Sequence, residues 1–403
     1  MPEQTVHRRK VFYISGFDPK GPSHHHALYA KEAAKQTPLN GLAISVGQSS
    51  RKDRVTTSWP LSGRMEAISI ETDYAALRWD DIMRQRMRMP RLAFARSVLR
   101  TYWHFVRTGA LWRILKTSYP PFLAGIYPVV LLCALTMVAV CAGISAYVIV
   151  PYPAALPAGA GAFFLTLYLG RWLERRMPVF WPLHIFAFAA DHMAGRAPQM
   201  DERIARFADE IACCAASSTD DEILIASHSN GTVIAVLALA AALKTDPELG
   251  KRGPAISFLT LGQSIPMCSF LPEAKALRQA LMSLSENKDI AWIDISAPRD
   301  AACFALTDPL TASGLEHANP AAPSPKLLSL PIGDVFTPDT FHSALRRRWL
   351  RLHFQYLMAT ERPTPFDYFL ITAGPLTLAE RFASFASRDG YAKFRLFSSG
   401  SAT

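Results

Sequence analysis

Short apolar runs bounded by turn-forming residues recur along the chain and alternate with longer segments in which apolar positions fall three and four apart. Residues 11–14, 42–46, 65–70 and 75–79 read as strands in the first part, and 223–226, 256–261 and 290–296 in the last, with a final strand inside 327–336. Helical patterns cover 23–36, 200–216, the Ala/Leu-rich stretch after Gly231 to Lys244, 273–284 and 340–360. Residues 47–57 and 318–325 are polar or Pro/Ala-rich and read as loops, and 394–403 as a frayed end. The run 223–226 is apolar at every position, as expected of a strand covered on both faces. Strands alternating with helices predict an α/β fold: a mostly parallel sheet with flanking helices.

The middle of the chain breaks this rhythm. Arg84, Arg86, Arg88, Arg91, Arg96, Arg100, Arg107, Arg113 and Lys116 are interleaved with Leu92, Phe94, Val98, Leu99, Tyr102, Trp103, Phe105, Leu111 and Trp112. That is the pattern of basic amphipathic helices lying at a lipid headgroup surface. Residues 126–150 then carry no charge over about 25 positions, enough to cross a bilayer core. After Pro151, Tyr152 and Pro153 a second uncharged run of about 17 residues reaches Gly170, is extended by Tyr168 and Trp172, and is closed by Arg171, Arg175 and Arg176. The sequence therefore predicts a two-helix transmembrane hairpin, about 126–150 and 154–173, interrupting the α/β fold.

Arginines flank both outer ends of the hairpin and the turn has none, so the positive-inside rule places both ends in the cytoplasm. Residues 1–83 and 191–403 are then two parts of one domain on one side, with 84–190 as the basic segment and hairpin. The expected location is a bacterial inner membrane, crossed twice, with the soluble domain cytoplasmic.

Composition agrees with this. Of the 403 residues half are hydrophobic and only 19% charged. The net charge of +10 sits largely beside the most apolar part of the chain, which favours an anionic lipid surface as partner and argues against nucleic acid. The six cysteines (Cys133, Cys141, Cys213, Cys214, Cys268 and Cys303) show neither a disulfide framework nor zinc spacing. The three adjacent histidines His24, His25 and His26 have no carboxylates at ligand spacing, so no metal and no cofactor is expected. The first residues run into a strand without a signal-peptide pattern, and no secretion is implied.

The chemistry centres on Ser227-His228-Ser229-Asn230-Gly231, between the strand at 223–226 and the following helix. Small residues two before and two after Ser229 suit a sharp strand-to-helix turn that exposes the serine hydroxyl, a nucleophile elbow. Ser227 stands where glycine is usual.

With this elbow, an N-terminal strand followed by the loop Ser15-Gly16-Phe17, and acids and histidines in suitable order, residues 9–80 and 200–360 resemble the α/β-hydrolase superfamily. The resemblance implies the chain order nucleophile, acid, histidine. Of eleven histidines this leaves His317, His342 and His353, with His317 the weakest because it lies in the Pro/Ala-rich loop. His353, followed by aromatic residues as in many lipases of the superfamily, is the preferred base and His342 the alternative. Only one can serve, because eleven residues of helix separate them by about 16 Å. Asp300, just past the strand at 290–296, is the preferred acid, and Asp294 inside that strand the alternative. The oxyanion donors implied are the N–H of Asn230 and one from Gly16 or Phe17. The expected function is a serine hydrolase acting on an ester or thioester of an acyl lipid or other amphiphile. The alternatives are a catalytically silent membrane scaffold of the same fold and an acyltransferase with the same triad.

Overall fold

The strands of the computed structural model, which describes residues 5–321, 323–341 and 352–388, form one mixed sheet. They are β1 (Arg8–Ile14), β2 (Ala43–Val46), β3 (Ser50–Arg51), β4 (Thr56–Met65), β5 (Ile68–Leu77), β6 (Glu222–His228), β7 (Ala255–Leu261), β8 (Ile290–Ser296) and β9 (Lys326–Ser329). Their spatial order is β2-β4-β5-β1-β6-β7-β8-β9, with β3 beside β4. From β5 to β9 all neighbours are parallel, while β2, β3 and β4 pair antiparallel.

Both faces of the parallel part are covered, as the unbroken apolar runs require. Phe12, Ile14, Ile223, Ile225, Ile256 and Phe258 point into one core, and Val11, Tyr13, Leu224, Ala226, Leu259 and Leu261 into the other. The second face is closed by α1 (Pro22–Asn40), through Tyr29 and Ala33, and by Tyr368 and Phe369.

The expected loop at 47–57 is in part strand. β3 lies inside it, and β4 begins at Thr56 and pairs with β5 along its whole length. Pro60 hides β4 in the sequence, since proline removes a ladder donor. It is tolerated because β2 pairs with 61–64 and β3 with 57–58, leaving Pro60 in the gap between them.

Helices α2 (Asp80–Met87), α3 (Arg91–Arg107) and α4 (Ala110–Thr117) lead into α5 (Tyr119–Ile149), and α6 (Ala155–Arg176) and α7 (Phe180–Met193) follow. These are not outside the domain core: Phe105 of α3, Ile114 of α4 and Phe186 and Phe188 of α7 are buried with Phe17 and Trp79. Among the described residues one helix, α5, is long and apolar enough to cross a membrane, and only 6% of its most apolar stretch is buried. The second expected span is not shown: the apolar part of α6 is diluted by Pro157, Gly159, Gly161 and Gly170 and stops at Arg171, so by length and composition α6 alone is not a clear candidate to cross a membrane.

The chain then passes through α8 (Pro198–Ser217) to β6, α9 (Gly231–Thr245), β7, α10 (Ile265–Ser269), α11 (Lys275–Glu286) and β8. A buried ion pair locks this return. Arg9 on β1 lies 2.6 Å from Glu222 on β6, both fully buried. Arg9 also donates to the carbonyls of Gly374 and Leu376, and Glu222 accepts from Ser257 and the Leu378 N–H. Satisfied on both sides, such a pair is tolerated, whereas removing either partner strands a buried charge.

Candidate active site

β6 ends at His228 and α9 begins at Gly231, so Ser229 and Asn230 make the whole strand-to-helix turn. Ser229 has φ 55°, a left-handed conformation that costs a non-glycine residue on the order of 1–2 kcal/mol. Its N–H donates to the Leu261 carbonyl at 2.9 Å, fixing the turn to the end of β7. A Cβ at Gly231 would lie 2.4 Å from the Ser15 carbonyl oxygen and 2.5 Å from that of Ile14, so only glycine lets α9 start against the end of β1. Ser227, in place of the usual glycine, is held within the sheet by donating to the Leu259 carbonyl at 3.2 Å.

Three of the expected residues come together. His353 Nε2 lies 2.7 Å from Ser229 Oγ, and His353 Nδ1 lies 2.7 Å from Asp300 Oδ2. A carboxylate can only accept, so Nδ1 carries the imidazole proton and Nε2 accepts from the serine hydroxyl. Asp300 sits in the loop after β8, and its Oδ1 accepts from the Ala302 N–H at 2.9 Å. Burial alone would raise its carboxyl, but the charge and hydrogen bond of His353, with the Ala302 N–H, outweigh it and hold Asp300 below the usual carboxylate range.

Two buried residues that sequence reasoning missed complete the network. Tyr356 donates to Asp300 Oδ2 at 3.0 Å while its own oxygen accepts from the Ala297 N–H at 2.9 Å. Its position three residues after His353 puts both on one side of a helical turn, a signal that could have found it. His228 donates from Nε2 to the His353 carbonyl at 2.7 Å. Burial, and then the neighbouring His353, push His228 down to about 3, so it stays neutral and fixes the backbone that carries the base. Nothing in the pattern at 228 distinguishes it from an ordinary turn residue.

On the other side of Ser229 the loop after β1 comes close. A Cβ at Gly16 would lie 2.9 Å from Ser229 Cβ. Among the described residues neither the Asn230 nor the Phe17 main-chain N–H has a hydrogen-bond acceptor. The Phe17 carbonyl is held by Trp181 Nε1 at 3.0 Å, which fixes this loop to α7. Gly16 allows the approach, and among the described residues its own N–H has no acceptor either, so Gly16, Phe17 and Asn230 are all free donors.

The alternatives lie elsewhere. Asp294, buried in β8, accepts from Thr260 at 2.6 Å and makes no contact with His353, and its other oxygen has no partner among the described residues. Burial pushes it up to about 7. His317 pairs with Asp308 at 2.5 Å. His342 lies outside the described residues. The adjacent histidines diverge: His25 contacts the Tyr74 hydroxyl, His26 donates to the Gly47 carbonyl and His24 approaches Lys20.

Two cavities meet at Ser229 and His353. One opens past Gly16 and Phe17 and is bordered by Asp18, His24, Arg78 and Asp80. The other is apolar and runs between α4, α5 and α7, past Ile114, Ala124, Ile185 and Phe304. Trp181 lines both.

This arrangement places a half-buried hydroxyl on a strained turn beside an imidazole and a carboxylate, with main-chain N–H groups that lack acceptors nearby in the chain. Such a constellation can carry out acyl transfer through a covalent intermediate. Compared with protein-family models, with curated proteins and with solved structures, the chain matches none.

Proposed function

We propose that the protein is a membrane-anchored serine hydrolase of the α/β-hydrolase type that cleaves an ester or thioester of an acyl or otherwise amphiphilic substrate. The observation that carries this reading is the pair of 2.7 Å contacts that link Ser229, His353 and Asp300 on a turn where Ser229 has a positive φ. In this mechanism Ser229 Oγ attacks the carbonyl carbon while its proton passes to His353 Nε2. The tetrahedral oxyanion is held by the N–H groups of Asn230 and Phe17. His353 returns the proton to the leaving oxygen or sulfur as the acyl–leaving-group bond breaks. Water then repeats the sequence on the acyl-enzyme, and Asp300 orients and stabilises the imidazolium in both halves.

In the same reading α5 crosses the bilayer and α6 brings the chain back. β1 and β6 are neighbours in one sheet, so a chain that leaves through α5 has to return to the side it left before reaching β6. α6 is packed close to α5, where Gly143 faces Gly159. On α3 the exposed residues Leu92, Leu99, Trp103 and Val106 form one stripe beside Arg96 and Arg107, a surface suited to the headgroup region of an anionic membrane.

Turnover of a soluble p-nitrophenyl ester by the purified protein tests the reading. The parent is expected to hydrolyse it, and Ser229→Ala to fall to the uncatalysed rate while keeping the parent unfolding temperature. A folded parent without turnover, or a Ser229→Ala variant as active as the parent, refutes it.

A further inference from the structure

We infer that the acyl chain of the substrate reaches Ser229 sideways from the bilayer, along the root of α5, so that the substrate is a membrane-resident acyl lipid and not a soluble thioester. This rests on the serine hydrolase reading above.

The inner apolar cavity at Ser229 has a volume of about 60 Å³. By the measure in which about 10–15 Å³ admits one water, that is room for a handful of water molecules and not for a whole long acyl chain. A longer chain has to leave it. Ala124, on the second turn of α5, is the wall through which it can do so, because Ala124 also lines a larger and more open cavity of about 410 Å³ on the outer side. That outer cavity is apolar, bordered by Leu123 and Tyr127 of α5, by Met177 and by Ala301 of the acid loop. Ala301 adjoins Ala302, which lines the inner cavity, so the two cavities run along the same wall.

Position decides what fills this path. The outer cavity lies at the start of α5, the helix that among the described residues is long and apolar enough to cross a membrane, where it leaves its contacts with the rest of the fold. An apolar groove open at this depth faces acyl chains, with Tyr119 and Arg299 on its rim as interfacial residues. The cavity on the other side of Trp181 carries Asp18, His24, Arg78 and Asp80 and suits the polar leaving group. The site thus has one arm that runs toward the root of α5 and a second, mixed arm that carries the charged residues, meeting at the serine. A soluble acyl thioester would have to bring a long chain through water into the arm that faces lipid.

The test compares p-nitrophenyl palmitate held in phosphatidylglycerol/phosphatidylethanolamine vesicles with soluble p-nitrophenyl butyrate, using the full chain reconstituted in the same vesicles. Ala124→Trp, which fills the common wall, and Leu123→Asp, which places a charge in the outer cavity, are each expected to lower the palmitate-to-butyrate ratio of kcat/KM at least tenfold. A ratio unchanged in both variants overturns the lateral route while leaving the hydrolase reading intact. A parent that hydrolyses neither ester overturns the hydrolase reading, and this inference with it. Should Ala124→Trp fail to fold, Leu123→Asp, at a position 52% exposed, decides alone.

Discussion

Asp300 accepts from three donors, His353, the Ala302 N–H and Tyr356, and that convergence holds a fully buried carboxylate in its charged form. Asp300→Asn is expected to lower kcat on the order of 10⁴-fold, because an amide presents the wrong group to Nδ1 and reverses the imidazole tautomer. Tyr356→Phe keeps the acid and loses one donor, so steady-state kinetics should show a loss of about tenfold, in line with a single hydrogen bond to a charged group. Because the folded Asp300 carboxyl lies below its unfolded value, its contribution to stability is present above about pH 4 and is lost as the pH falls through the folded value. Asp294 has the opposite sign. Burial raises it to about 7, so the folded state binds its proton more tightly than the unfolded state, and stability from this group falls as the pH rises from about 4 to about 7. Asp294→Asn should therefore match the parent in thermal unfolding near pH 4, exceed it increasingly up to pH 7, and hold a constant advantage above that. An advantage that does not grow with pH contradicts the assignment.

At the scale of elements, the turn between β6 and α9 depends on two close approaches of different kinds. At Gly231 the crowding atoms are backbone oxygens, which cannot move aside. Gly231→Ala is expected to cost several kcal/mol, on the scale of an overpacked core, and to be seen as a large drop in unfolding temperature. At Gly16 the nearest atom is the side chain of Ser229 itself. Gly16→Ala, with its nearest contacts at 2.9 and 3.2 Å, should lower the unfolding temperature less than Gly231→Ala and lower kcat, since the added methyl displaces the nucleophile. Equal effects of the two on stability would contradict this division. The parallel strands β6, β7 and β8 were legible in the sequence because each is a run of mostly apolar, buried residues, whereas β5, interrupted by Glu71, Thr72 and Asp73, was read as two pieces, the first of which spans the turn from β4. β4 was not, because its pairing depends on a gap between β2 and β3 that exists only once the hairpin with β5 has formed.

For the whole molecule, the sheet joins segments separated by more than two hundred residues, and β1 beside β6 requires whatever α5 does to be undone before residue 222. A reporter fused at Tyr152, 93% exposed between α5 and α6, is expected on the far side of the membrane, and cytoplasmic reporter activity there would reject the crossing. The site was legible to the same extent as the fold. Ser229 could be singled out by its strand-to-helix turn, whereas Asp300 and His353 were reached through the chain order and the histidine setting that the resemblance implies. Tyr356 and His228 support them through contacts across 56 and 125 residues, which no local pattern records. The apolar span at 126–150 was plain from its lack of charge, whereas α6 depends on its packing against α5 for its place.

The central claim, that Ser229 is an activated nucleophile, is tested most directly by treating the protein in membranes with a fluorophosphonate and identifying the modified residue by mass spectrometry. The account predicts one covalent adduct, on Ser229, lost in Ser229→Ala and strongly reduced in His353→Ala. A folded parent that takes up no label, or an adduct retained in Ser229→Ala, would contradict it.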